Sequence, residues 1–231
     1  MSRRQELARN LESVQAQIAA ACHRAGRSVD EVTLVVVTKT YPAADVETLF
    51  ELGVRDVGEN RHQEAVAKFE EVHLGSTELR WHFLGGLQTN KAAAVVKYAD
   101  LVHSLDRLKL AQSLSRAAEA AERTIDCLIQ VDFDTANPAR AGVPAGEVLP
   151  LAEQVLAQAP NVQIAGLMTV APLGAEPAPS FEALQLLGAD LVRLVPTAKI
   201  LSAGMSGDFE TAIEYGATHL RVGRLVLGQR L

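Results

Sequence analysis

Eight short apolar segments recur along the 231-residue chain: VTLVVVTK at 32–39, VRDVGE at 54–59, LRWHFLG at 79–85, LVHSLD at 101–106, CLIQVDF at 127–133, IAGLMTV at 164–170, KILSAGMS at 199–206 and HLRVG at 219–223. Between them lie stretches with helical periodicity, among them ADVETLFELG, QEAVAKFEEV, LKLAQSLSRAAEAAE, EVLPLAEQVLAQ, FEALQLLGADLVRLV and DFETAIEYG. Strands separated by helices pair in parallel, because each helical crossover carries the chain back to start the next strand at the same end. A count of eight favours closure into a single (β/α)8 TIM barrel over an open doubly wound sheet, and the length suits one domain covering 1–231. The one proline-rich stretch, APLGAEPAPS at 171–180, follows the sixth segment and reads as a lid or a linker.

The two ends of the chain are unequal. After the eighth segment only RLVLGQRL remains, too little for a full outer helix. Ahead of the first segment, Leu7, Leu11, Val14, Ile18 and Cys22 recur at spacings of three and four, an apolar stripe on an extra N-terminal helix able to cover part of that gap.

Composition bears mainly on partners. A formal net charge of -6 argues against a nucleic-acid binder, which needs clustered Lys and Arg to neutralise phosphates. No run approaches the roughly 20 apolar residues of a membrane span, and the opening MSRRQELARNLESVQ lacks a signal-peptide core, so a cytoplasmic protein is expected. Cys22 and Cys127 stand far apart and read as buried thiols. His62, His73, Asp132 and Asp134 make no metal-ligand spacing, and the charges of KFEEVHLGSTE read as a solvated face.

Functional groups of such barrels collect at the C-terminal strand ends. Here the first strand ends in Lys39, which reads either as a lysine whose ammonium reaches solvent or as an amine with chemistry. The seventh and eighth segments end in SAGMSGD and RVG, where Gly204, Ser206, Gly207 and Gly223 expose backbone N–H groups suited to a phosphate. A lysine and an anion cradle on one mouth suit a phosphorylated carbonyl compound. Pyridoxal 5'-phosphate (PLP) fits both clues, and a class I aldolase-like barrel is the rival. Arg221, two residues before Gly223, points inward by alternation and would donate to an unprotonated pyridine nitrogen, which weakens the ring as an electron sink.

TK, GEN, WHFLGGLQTNK, HSLD, GLMT, LSAGMSGDFE and HLRVG, in this order over roughly residues 5–230, resemble the YggS/PROSC family of pyridoxal phosphate homeostasis proteins. The resemblance implies the alanine racemase N-terminal barrel and PLP held as a Schiff base on Lys39. It further implies a role in buffering or delivering the cofactor without a robust catalytic activity. By motif, Asn60 lies beside the cofactor, His82 near the ring face, Met205 and Ser206 along the ring and phosphate, Arg221 at the pyridine nitrogen and Gly223 at the phosphate. Two positions depart from the family: Arg224 replaces the usual Thr or Ser, as a stronger phosphate contact or as a residue turned away, and Gly86 replaces a proline and should loosen its turn. The alternative is a PLP-dependent enzyme such as an amino-acid racemase, with His82, Tyr41 or His103 as base. Alanine racemases complete their site with a second domain and a partner subunit, whereas this chain stops after the eighth strand. A monomer is therefore expected, with PLP-dependent apo-enzymes as the partners that delivery implies.

Overall fold

A computed structural model describes residues 1–74, 78–134 and 140–228. The expected strands all form: β1 (Thr33–Val37), β2 (Asp56–Glu59), β3 (Arg80–Phe83), β4 (Leu101–Leu105) and β5 (Ile125–Asp132). A two-residue β6 (Val143–Pro144) precedes β7 (Val162–Thr169), β8 (Ile200–Ser202) and β9 (His219–Val222). Pairing runs β4-β3-β2-β1-β9-β8-β7-β5, and β4 also pairs with β5, which closes an eight-stranded parallel barrel. The added β6 pairs with Val131 and Asp132 of β5, beyond the point where β4 has ended. Sequence reading misses it, because two residues carry no periodicity.

Helices α2 (Ala43–Glu51), α3 (His62–Glu71), α4 (Ala92–Val95), α5 (Leu108–Ala120), α6 (Val148–Gln158), α7 (Ala178–Leu194) and α8 (Phe209–Glu214) fill the crossovers. The last element, α9 (Arg224–Leu227), is one turn long. Its shortness leaves the gap that α1 (Arg3–Arg24) fills. Ser2 and Gln5 form a capping box at the start of α1, and Leu7, Leu11, Val14, Ile18 and Cys22 are all buried. Polar contacts fix the docking: Arg3 makes two bonds to Asp45 and one to the Leu227 carbonyl, Asn10 reaches Val226 O, and Arg27 donates to Ile213 O and Ala217 O. The N-terminal helix thus closes the ring of helices beside the single turn of α9.

One continuous apolar layer lies between the sheet and the helices, from Leu7 to Leu227. Inside the barrel a smaller cluster, Leu101, Leu128 and Met168, packs against Ala165 and Ile200. The lower interior also holds polar groups, with Asp56, His82, His103, Ser202 and Arg221 all buried. Most buried polar groups are paired, and the pairing of these five bears on the site above. Among the described residues, no helix is long and apolar enough to cross a membrane.

Candidate functional site

The C-terminal mouth holds a cavity of about 950 Å³. Seven of the eight residues expected at a cofactor line it: Lys39, Asn60, Met205, Ser206, Arg221, Gly223 and Arg224. The segment from Val170 to Ala175 forms one wall, and Pro177 stands beside it at the start of α7. Part of the expected proline-rich loop is therefore helix and part is cavity wall.

Lys39 follows β1 and is half-buried. The next residue, Thr40, adopts φ 70°, unusual for a β-branched residue, and its N–H donates to Glu64 Oε2 at 3.2 Å. Below the lysine a buried network joins the ends of β1 and β2. Thr38 Oγ1 donates to Glu59 Oε1 at 2.6 Å, and Lys68 Nζ donates to the Thr38 carbonyl at 2.7 Å and to Glu59 Oε1. Lys68 is 6% exposed, so the charges of KFEEVHLGSTE are not all solvated as expected. Lys68 stands three residues after the buried Ala65, on the apolar face of α3. A lysine on an apolar stripe was the signal available in the sequence. Gly85 fits only as glycine here, because a Cβ would lie 1.9 Å from the Asn60 carbonyl. Gly86 has neither a crowded Cβ position nor a positive φ, so the departure at this position leaves the turn to Gly85.

On the opposite rim, Gly204 at φ 86° brings the β8 end against Phe209 and Ala212 of α8, where a Cβ would sit 2.8 Å from each. Asp208 turns its carboxylate back to accept from Met205 N at 2.6 Å. It therefore braces the turn, and neither Asp208 nor Ser206 caps α8 through its side chain. Among the described residues, the N–H groups of Ser206 and Gly207 have no protein acceptor. Gly223 lets the end of β9 pass close to β1, where a Cβ would be 3.1 Å from Val37 O.

The electrostatics favour an anion. Among the described residues that line the cavity, three are cations, Lys39, Arg221 and Arg224, and one is a carboxylate, Asp208, already engaged with a backbone N–H. Arg221 is buried, and its guanidinium donates to Ser202 Oγ at 2.6 Å and to Thr169 O at 2.7 Å. Burial pulls its pKa down to about 10, opposed by Asp208, so it stays charged at neutral pH. Tyr41 also lines the cavity, and its hydroxyl donates to Gly228 O at 2.8 Å.

His82 is the exception. It is 3% exposed and lies outside the cavity lining, one layer down. Its Nε2 meets Asp56 Oδ1 at 2.9 Å and its Nδ1 meets His103 Nε2 at 2.9 Å. Depth explains the difference from the ring-face position expected of it: His82 is in register with Leu101, the first residue of β4. Motif matching reports which face of a strand a residue occupies, while its height in a barrel depends on the stagger between strands.

Fold and site together define a barrel of the alanine racemase class, and the family model for the alanine racemase N-terminal domain matches residues 9–230. A solved alanine racemase from Corynebacterium glutamicum superposes with a TM-score of 0.71 at 16% identity, over 96% of this chain and 60% of that one. Nearer relatives narrow the class. The pyridoxal phosphate homeostasis protein of Mycobacterium leprae is 38% identical over 242 residues, covering 98% of this chain and 93% of the relative. The structure of PipY from Synechococcus elongatus with PLP bound matches with a TM-score of 0.83 at 36% identity, over 96% of this chain and all of that one. The chain belongs to the family of pyridoxal phosphate homeostasis proteins.

Proposed function

We propose that this protein binds PLP at the barrel mouth through Lys39 and takes part in holding and supplying the cofactor. The observation that carries the reading is the convergence, on one cavity, of a strand-end lysine, two arginines and N–H donors that have no acceptor among the described residues. Those groups suit an aldehyde at one end of the ligand and a dianion at the other. When bound, PLP supplies a carbonyl with which an amine forms a Schiff base and water. Lys39 supplies that amine. Ser206, Gly207 and Gly223 offer backbone to the phosphate, Arg221 presents N–H donors to the ring nitrogen, and Asn60 and Met205 flank the ring. Arg224 is exposed at the rim, where it adds attraction for the anion with little enclosure.

Supply of the cofactor, with apo-enzymes as receivers, is favoured over racemisation by the state of the second base. A racemase needs proton-moving groups on both faces of its substrate. Of the residues considered for that role, Tyr41 commits its hydroxyl to Gly228 O, and His82 and His103 lie below the cavity with both ring nitrogens engaged.

The test is the visible spectrum of the purified chain with added PLP, followed by borohydride reduction and peptide mapping. A band that reduces onto Lys39 and is absent from Lys39→Ala supports the reading. No band at saturating PLP, or one unchanged in Lys39→Ala, overturns it.

A further inference from the structure

Beneath the cavity, one line of hydrogen bonds crosses the barrel interior and ends on Arg221. Arg80 clamps Asp56 through Nε to Oδ1 at 2.9 Å and NH2 to Oδ2 at 3.0 Å. Asp56 Oδ1 meets His82 Nε2, His82 Nδ1 meets His103 Nε2, His103 Nδ1 meets Ser202 Oγ at 3.0 Å, and Ser202 Oγ meets Arg221 NH1. Beyond the exposed Arg80, five residues from β2, β3, β4, β8 and β9 take part, all of them buried.

The two ends of the line dictate its polarity. Arginine can only donate, so Ser202 Oγ accepts from Arg221. At the far end burial opposes the charge of Asp56, but the bonds from His82 and Arg80 outweigh it and hold the carboxyl below its ordinary range. A carboxylate can only accept, so His82 Nε2 carries a proton. Burial, with the nearby Arg221 guanidinium, pushes His103 well below the usual histidine range, so its ring is neutral and has a single N–H. If that proton sat on Nδ1, Ser202 would accept twice and its own proton would lack a partner. His103 Nε2 would then be a bare acceptor, and its contact with His82 Nδ1 would need N–H groups on both His82 nitrogens, an imidazolium paired with Asp56 that still leaves the Ser202 proton without a partner. With the proton on Nε2 instead, every bond is satisfied and all point the same way: Arg221 to Ser202, Ser202 to His103, His103 to His82, His82 to Asp56.

We propose that Asp56, His82, His103 and Ser202 form a one-way relay that positions Arg221, keeping Ser202 an acceptor toward the guanidinium so that the remaining N–H groups of Arg221 face the cavity. These four are positioning residues: none lines the cavity. The proposal rests on the PLP reading only for what Arg221 then meets, the ring nitrogen. The relay itself belongs to the protein without cofactor.

The first experiment is nitrogen-15 NMR of the histidine rings in the full chain without PLP, between pH 6 and 8. His103 is expected as a neutral Nε2–H tautomer throughout, with the proton of His82 on Nε2. An Nδ1–H tautomer or an imidazolium at either residue overturns the relay. The second uses Ser202→Ala and Ser202→Thr with PLP added. Alanine leaves a buried arginine donor unpaired and is expected to weaken PLP binding roughly tenfold. It should also shift the pH midpoint of the visible band, and threonine, which keeps the hydroxyl, should restore both. Unchanged affinity and midpoint in Ser202→Ala overturn the coupling to Arg221. If the unmodified chain forms no reducible band, the PLP reading fails, while the tautomer pattern still decides the relay.

Discussion

The upper and lower parts of the barrel interior are built by the same eight strands and treat polar groups in opposite ways. At the mouth, among the described residues, the N–H groups of Ser206 and Gly207 stand without protein acceptors, and the cavity lining carries three cations and one carboxylate. One layer below, each ring nitrogen of His82 and His103 has a partner and Arg221 is held by two oxygens. The contrast teaches what solvent access permits. In the sealed layer an unpaired polar atom costs its full desolvation, so pairing must be completed within the protein. At the open mouth water satisfies the same groups until a ligand replaces it.

Substitutions in the two layers should therefore differ in kind, and several would break the comparison if they did not. The largest loss of stability is expected from Gly166→Ala in β7, where φ is 151° and a Cβ would lie 1.9 Å from the Ile200 carbonyl. Separating β7 from β8 should cost about 4 kcal/mol or more, read as a fall in the denaturant midpoint. Next comes Lys68→Met, which strands the fully buried Glu59 carboxylate. A cost of roughly 3 to 5 kcal/mol is expected from the same titration.

Acidification tests the histidines below the mouth, the buried His103 and the partly buried His219, without mutation. Burial is the main cause that lowers His219 to about 4 and His103 well below the ordinary range. The unfolded chain therefore binds protons that the folded one refuses. The stability these histidines contribute is fully present above the unfolded pKa of about 6.5 and is lost as pH falls toward 4, by up to roughly 1.4 kcal/mol per pH unit for each. Thermal melts across this window should show the decline, and His219→Asn should flatten it. A profile unchanged by His219→Asn would mean the ring is charged in the folded protein.

At the mouth the expectations reverse. Lys39→Ala should abolish trapping of PLP by borohydride, with a smaller loss of stability than either Gly166→Ala or Lys68→Met. Arg224→Ser should have the smallest effect. An exposed charge gives a contact worth under about 1 kcal/mol, so PLP affinity should fall roughly threefold at low salt and hardly at high salt, measured by equilibrium titration. A large, salt-independent loss would mean that Arg224 folds over the phosphate.

Much of this was legible in the residues. Val35, Val36 and Val37 announce a strand covered on both faces, and alternation with amphipathic helices sets the parallel order. The stripe from Leu7 to Cys22 identified the helix that closes the ring. Lys39, Ser206, Arg221 and Gly223 stood out because chemistry in such barrels gathers at strand ends. Less was readable where a residue's role depends on partners far along the chain. Lys68 looked like one charge among several until α3 placed it over Glu59, and β6 is visible only through its pairing with β5.

His82 marks the boundary between the two kinds of information. Local sequence determined that it belongs to β3 and faces the interior, because side chains alternate along a strand. Whether it meets the cavity or a buried carboxylate was decided by the stagger of β3 against β2 and β4 when the barrel closed. The sequence by itself determined the elements, their order and the chemical types gathered at the mouth, since these follow from local periodicity and strand ends. Only the tertiary structure decided which groups were sealed and had to find partners and which stayed open to a ligand, because burial is a property of the closed barrel and of no segment within it.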